Sequence, residues 1–355
     1  MRLLFISNLF PDTTQPWRGL DNVTLLHAMR AQRPEVEMRV LCLRPGHRYW
    51  LGGGCELKPR AGDEVLAPSF HWAPYAPRFG GRNDVLSGWA VRRALKSLPQ
   101  GWKPDALLTP WLFPDACGVN RCEELRDVPM VAVAQGSDVH RYLEMPLRRR
   151  AILRLVQRAQ VVTRSEDLRQ RLLRAGAGAE QVSTVYNGVH PEVFHPGDKQ
   201  DARKALDLPM EGRLAVFVGN FLPVKGLDLL IQGSAQVKGK LKEQFHLILI
   251  GSGPLEAELL ALAESSGLGR DRVILAGRKA PEEVAHFMRA ADVVCLSSHN
   301  EGVPNVVLEA LASGRPVVAS NVGGVPELLS ERTGILVPPE DPEALAAGLE
   351  EALGR

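Results

Sequence analysis

The chain has 355 residues, 45% of them hydrophobic and 24% charged, a globular composition that excludes a disordered or fibrous protein. Its 43 basic residues against 41 acidic ones leave a formal charge of +2, too balanced for nucleic acid to be the main partner. At roughly 100–200 residues per domain, the length predicts two domains, each large enough for its own core.

The N-terminal run Met1-Arg2-Leu3-Leu4-Phe5-Ile6 begins like a signal peptide. It stops at Asn8 and Pro11 with no small-residue cleavage site, so it reads as a first strand. Short apolar runs then alternate with helical patterns, the signature of βαβ units whose parallel sheets are buried on both faces. In the first half the predicted strands are Leu3–Ser7, Met38–Leu43, Ala106–Thr109, Met130–Ala134 and Val161–Thr163, with a helix over Asn22–Arg30. Residues 44–83 hold many Gly, Pro and aromatic residues without a period and read as an irregular loop region. The segment Leu147–Arg158 is helical in period with arginines on part of its face, either a solvated face or a peripheral contact with an anionic membrane. Turn formers from Tyr186 to Asp198 mark a hinge, which divides the chain into residues 1–185, a linker 186–200 and residues 201–355. In the second half the strands are Ala215–Gly219, His246–Gly251, Arg272–Ala276, Val293–Ser297 and Pro316–Ala319, followed by a helix over Pro342–Leu353. No stretch approaches the roughly 18 consecutive apolar residues that span a bilayer. The five cysteines (Cys42, Cys55, Cys117, Cys122 and Cys295) form no C-x-x-C pair, which argues against a disulfide framework or zinc site and fits a reducing cytoplasm.

The sharpest motif runs from Ser298 to Ala312, after the strand Val293–Ser297 and into an apolar helix. Pro304 suits the first helical turn, so the free amides of Val303, Asn305 and Val306 are expected to form an anion site fitted to a diphosphate. Glu301 lies in the loop before that helix and Glu309 inside it, placed to reach different hydroxyls of one ligand. By spacing alone they are equally a loop glutamate and a helix-surface glutamate. Lys225, before Gly226, can act as a point charge on phosphate or be an ordinary solvated lysine at a helix start. Gly251-Ser252-Gly253-Pro254 fails a dinucleotide fingerprint because Glu256 stands at the third glycine position.

These blocks resemble, in order, the motifs of family 4 of the GT-B retaining glycosyltransferases, including bacterial members of the teichuronic-acid type. Glu301 through Glu309 matches the family's E-x7-E motif, Asn187-Gly188-Val189 its linker, and Gly219 through Gly226 its diphosphate loop. Gly251–Pro254, Gly277-Arg278 and Gly314 through Glu327 also fit. Where the family usually carries an arginine after the strand glycine, this chain has Asn220, one cation fewer. In the first half Gly19 alone carries over from the family's glycine loop against the donor phosphates. Gln135-Gly136-Ser137-Asp138 resembles its H-G-S-D motif, with Gln135 replacing a histidine near the donor sugar. Asp138 is either a site residue or the N-cap of a helix over His140–Leu143.

The resemblance implies two Rossmann-like domains facing each other across a cleft, an acceptor-side N-terminal domain and a donor-binding C-terminal one. It implies a cytoplasmic retaining transferase that moves a hexosyl group from a nucleoside-diphosphate sugar, UDP favoured over GDP, to a glycan or lipid-linked acceptor hydroxyl. No cofactor or metal enters. Glu301 and Lys225 would be catalytic; Glu309, Gly219, Asn220, Gly251, Gly253 and Arg278 would line the donor, Glu309 on the ribose. A sugar-nucleotide epimerase or a non-catalytic nucleotide-sugar binder shares the architecture. Family members commonly continue past the position of Arg355 into helices that return to the first domain, so the shorter end is expected to loosen closure.

Overall fold

The computed structural model describes all residues except 47–56, 77–79, 238–244 and 355. The chain divides into two compact units, Met1–Val185 and Tyr186–Arg355. Residues 186–200, read as a linker, belong to the second unit, and the helix Lys199–Ala205 already begins within them.

The first unit holds a seven-stranded parallel sheet: β1 (Arg2–Ser7), β2 (Glu37–Pro45), β3 (Pro68–Ala73), β4 (Ala106–Pro110), β5 (Met130–Ala134), β6 (Gln160–Thr163) and β7 (Val182–Thr184). Their order is β3-β2-β1-β4-β5-β6-β7. The second unit holds β8 (Arg213–Val218), β9 (Phe245–Ile250), β10 (Val273–Gly277), β11 (Val293–Leu296), β12 (Val317–Ser320) and β13 (Gly334–Val337), in the order β10-β9-β8-β11-β12-β13. Both are doubly wound Rossmann orders, in which the chain reverses direction across the sheet beside the first strand of each unit. Every pairing is parallel, so each connection crosses over and covers a face of the sheet. That is why the central strands are nearly uninterrupted apolar runs: Leu4 and Ile6 pack on one face of β1 while Leu3 and Phe5 pack on the other. In β8, Ala215 and Phe217 join one core while Leu214 and Val216 join the opposite one.

Three strands escape the sequence reading: β3, within the region read as irregular, together with β7 and β13. All lie at sheet edges. An edge strand is short and half covered, so it needs no long apolar run, and β3 can begin with a proline because one side of its ladder is unpaired. The helix expected over His140–Leu143 instead occupies Ser137–His140, and Gly136, not Asp138, is its cap. The basic segment forms the helix Pro146–Val156. The Arg148 guanidinium lies 4.2 Å from the ring centroid of Tyr142, Arg149 donates to the Ala175 carbonyl at 3.1 Å, and Arg158 donates to the carbonyls of Leu125 and Val128. Part of its charge therefore holds the unit together. Among the described residues no helix is long and apolar enough to cross a membrane.

Cys42, Cys117, Cys122 and Cys295 are free and buried, and Cys55 lies outside the described residues. Burial pushes the thiols of Cys42 and Cys295 up to about 12, which leaves them inert packing groups.

Candidate functional site

In an open doubly wound sheet, ligands sit beyond the carboxyl ends of the strands where the winding reverses. In the second unit that place lies between β8 and β11, and the predicted donor residues gather there. After β8 the chain runs through Gly219 and Asn220 into a short turn, Pro223–Lys225. Gly226 takes a left-handed conformation (φ 57°), and the helix Leu227–Gln236 follows. After β11 come Ser297, Ser298 and the loop leading to the helix Asn305–Ala312. The two loops are bonded together. Ser297 Oγ donates to the Lys225 carbonyl at 3.0 Å, and the His299 amide donates to the Val224 carbonyl at 2.9 Å.

This clasp brings Lys225 onto Glu301. Lys225 Nζ donates to Glu301 Oε1 at 2.6 Å, and Ser298 Oγ donates to the same oxygen at 2.6 Å. The side chains of Lys225 and Glu301 are 25% and 10% exposed, so the pair is largely shielded from water. Lys225 is thus ion-paired and only partly exposed. The buried Ser298 is a partner that motif reading passed over, although it opens the quoted block. Both donors sit on Oε1.

Pro304 caps the helix Asn305–Ala312 instead of entering its first turn, and its carbonyl accepts the Val307 amide at 3.1 Å. Its backbone (φ −75°, ψ 116°) is extended because the chain enters the helix from the Glu301 loop. The helix starts one residue later than expected, and Val303 lies in the loop before the cap. The first turn of the helix still carries the positive end of its dipole. Asn305 is held by the linker motif, with Asn187 Nδ2 donating to Asn305 Oδ1 at 2.6 Å. Glu309 follows Asn305 by four residues and therefore shares its helix face.

The glycine loops are close-packed. A Cβ on Gly251 would stand 1.8 Å from the Gly219 carbonyl oxygen, and one on Gly253 would stand 2.3 Å from that of Phe221. Ser252 is thereby set beside Asn220, and Arg278, after β10, joins both: its Nε donates to Ser252 Oγ at 2.5 Å and its Nη2 to Asn220 Oδ1 at 3.5 Å. The Arg278 guanidinium thus reaches the loop after β8 by tertiary approach.

In the first unit, Gly19 (φ 69°) caps the helix Leu20–Gln32, and a Cβ there would lie 2.4 Å from the Leu9 backbone. Close packing alone accounts for that glycine. Gln135 Nε2 donates to Asn22 Oδ1 at 3.0 Å. Asp138 is fully buried and accepts from the backbone amides of Leu112, Gln135 and Gly136 at 2.9, 3.0 and 2.8 Å. Burial raises its pKa against those bonds. The carboxylate folds back on the backbone that precedes it, which is a structural task. Among the described residues no group of three or more His, Cys, Asp or Glu side chains could hold a metal ion.

Known proteins carry the same two halves. The model for Glycosyltransferase Family 4 matches residues 17–193, and that for Glycosyl transferases group 1 matches residues 198–354. The chain belongs to the family 4 glycosyltransferases. Over 98% of its length this glycosyltransferase is 26% identical to the putative teichuronic acid biosynthesis glycosyltransferase TuaC of Bacillus subtilis, covering 88% of that protein. It is 35% identical over 196 residues to the D-inositol 3-phosphate glycosyltransferase of Acidothermus cellulolyticus, spanning 53% of this chain and 44% of that one. Anabaena HepE, solved in complex with UDP, superposes with a TM-score of 0.75 at 21% identity over the whole chain and 90% of HepE, which shows the GT-B fold.

Proposed function

We propose that this glycosyltransferase moves a hexosyl group from a nucleoside-diphosphate sugar to an acceptor hydroxyl with retention at the anomeric carbon, in polysaccharide or glycolipid biosynthesis. The observation that carries the reading is the Lys225–Glu301–Ser298 cluster at the carboxyl ends of β8 and β11, beside the start of the helix Asn305–Ala312. A diphosphate needs cations and oriented N–H groups, and it needs them most as its charge grows during bond breakage. Lys225, Arg278 and the first-turn amides supply them. Glu301 can turn Oε2 to donor-sugar hydroxyls while Oε1 keeps its two donors, which offsets the cost of a carboxylate near phosphate. Glu309 takes the ribose hydroxyls, and Gln135 meets the donor sugar. HepE binds UDP, which favours UDP over GDP. No residue of the chain is assigned as a covalent nucleophile; the leaving phosphate assists attack on the same face, without a metal.

The C-terminal unit takes the donor and the N-terminal unit the acceptor. The likeness to TuaC, of teichuronic acid biosynthesis, supports a role in polysaccharide assembly. The reading puts that work in the cytoplasm, with peripheral membrane contact through the exposed Arg150 and Arg154 of the helix Pro146–Val156.

The test is turnover of UDP-glucose, UDP-galactose and GDP-mannose with lipid extract as acceptor, with the anomeric configuration of the product read by NMR. An inverted product overturns retention. Sugar isomerisation without acceptor favours an epimerase, and nucleotide binding without any turnover favours a non-catalytic binder. Activity abolished by EDTA and restored by magnesium overturns metal independence.

A further inference from the structure

The loop of residues 298–301, which carries Glu301, has a tie that none of these roles uses. Beyond the carboxyl ends of the six-stranded sheet it is held by its neighbours on both sides. The His299 amide donates to the Val224 carbonyl, after β8, at 2.9 Å, and the Gly324 amide, after β12, donates to the Gly302 carbonyl at 2.9 Å. The further tie comes from the chain after β13, where Glu340 Oε1 lies 3.2 Å from His299 Nδ1. A carboxylate only accepts, so the ring donates through Nδ1. His299 thus anchors the loop through its backbone to one neighbour and through its ring to another, two residues before Glu301.

Glu340 stands where its own backbone is unfavourable. It has φ 60° in the turn that follows Pro338 and Pro339. The next residue, Asp341, accepts the Ala344 amide at 2.9 Å and so opens the helix Pro342–Gly354. A left-handed turn position after a proline favours glycine or asparagine, because a longer side chain there crowds the backbone. The Glu340 side chain is 73% exposed, so burial gives nothing in return, and an exposed ion pair adds little to stability. Neither the turn nor the stability of the fold accounts for a glutamate at this position. Its reach to His299 does.

We propose that Glu340 is a positioning residue for the transfer reaction: its carboxylate fixes the His299 ring, and His299 holds the loop that presents Glu301 to the donor sugar. The inference rests on the transferase reading above for the role of Glu301. Loop position matters because a displacement of about 1 Å at a reacting group can cost about a hundredfold in rate. The chain from Val224 and the turn at Glu340 approach the loop from different strands, β8 and β13, so together they restrain it in more than one direction. Removing the tie to Glu340 leaves the loop attached through its backbone but free to shift on that attachment.

Glu340→Gly in the full chain separates a positioning role from a structural one. Glycine suits the left-handed backbone, so the melting temperature should hold within about 2 °C or rise. Turnover should nevertheless fall, with kcat at least about threefold lower and UDP affinity by calorimetry within about twofold, since the bond between His299 and Val224 remains. Glu340→Gln keeps an accepting oxygen at the same reach and should stay within about twofold of the unaltered kcat, whereas His299→Ala should match the glycine variant. A readout independent of turnover is amide hydrogen exchange at His299, which should speed up at least about threefold in Glu340→Gly and not in Glu340→Gln. Exchange unchanged in Glu340→Gly overturns the inference, as does unchanged kcat there, a glutamine variant as slow as the glycine one, or a fall in melting temperature beyond that limit. If the unaltered chain turns over no donor, the transferase reading fails, and exchange at His299 still decides whether Glu340 anchors the loop.

Discussion

Glu301 Oε1 receives Lys225 and Ser298 at 2.6 Å each, and the consequences of that shared oxygen can be measured one residue at a time. Lys225→Ala should lower turnover about 100- to 1000-fold, the scale of losing one preorganised donor at a developing charge. A solvated lysine could be truncated within about 0.5 kcal/mol. The shielded ion pair changes that expectation, because the truncation removes the main partner of a carboxylate that is 10% exposed. A loss of about 1–3 kcal/mol is expected in the melt, alongside the kinetic loss. Turnover within threefold of wild type would remove Lys225 from the phosphate site. Ser298→Ala should lower kcat about tenfold or more while leaving UDP affinity within twofold, since Ser298 orients Glu301 and touches no phosphate in this scheme. Parallel loss of UDP affinity would contradict that division. In the first unit, burial raises the carboxyl of Asp115 to about 6. A folded-state value above the unfolded one means that its stabilising contribution is complete below about pH 4 and is lost as pH rises through 6. The unfolding free energy of wild type minus that of Asp115→Asn should therefore fall between pH 4 and 7, by at most about 1.4 kcal/mol per pH unit. A flat difference would mean that Asp115 is ionised throughout.

At the scale of elements, the site is held by loops that brace each other beyond the strand ends. Gly323, after β12, has φ 53°, and a Cβ on it would stand 1.8 Å from the Glu301 carbonyl oxygen. The Gly324 amide donates to the Gly302 carbonyl at 2.9 Å. The two glycines therefore clamp the backbone that carries the key carboxylate. Gly323→Ala should cost about 1–3 kcal/mol through backbone strain alone and shift Glu301, so activity should fall further than the melting temperature suggests. Kinetics compared at a temperature where the variant is fully folded separate the two effects. Unchanged kcat there would show that the clamp does not position Glu301. The same logic explains the linker motif, whose Tyr186 and Asn187 bond to Glu327 and Asn305 and so belong to the second unit.

For the molecule as a whole, each unit carries cores on both faces of its own sheet. A fragment of residues 186–355 is therefore expected to fold and to bind UDP within about tenfold of the full chain. Residues 1–185 should show no UDP affinity. Calorimetry on the two fragments checks this, and UDP bound by the first fragment alone would reverse the assignment of donor and acceptor units. The fragment must begin at Tyr186, because starting at residue 197 deletes the Asn187–Asn305 bond at the head of the helix Asn305–Ala312.

The amino-acid sequence by itself determined the alternation of strands and helices, the central strands and the two halves, because burial on both faces writes a continuous apolar run into every central strand. It also determined that a helix opens soon after Glu301 and carries Glu309, since both are local in the chain. The edge strands β3, β7 and β13 were not legible, as half-covered pairing leaves no such run. Tertiary structure alone decided the partners: Lys225 meets Glu301 across 76 residues, and Arg278 meets Asn220 across 58. It also carried Asp115 to Asn8 across 107 residues. Periodicity reports how deeply a residue is buried, whereas which side chains meet depends on strand order, and crossover connections of many residues place distant loops side by side at one end of a sheet.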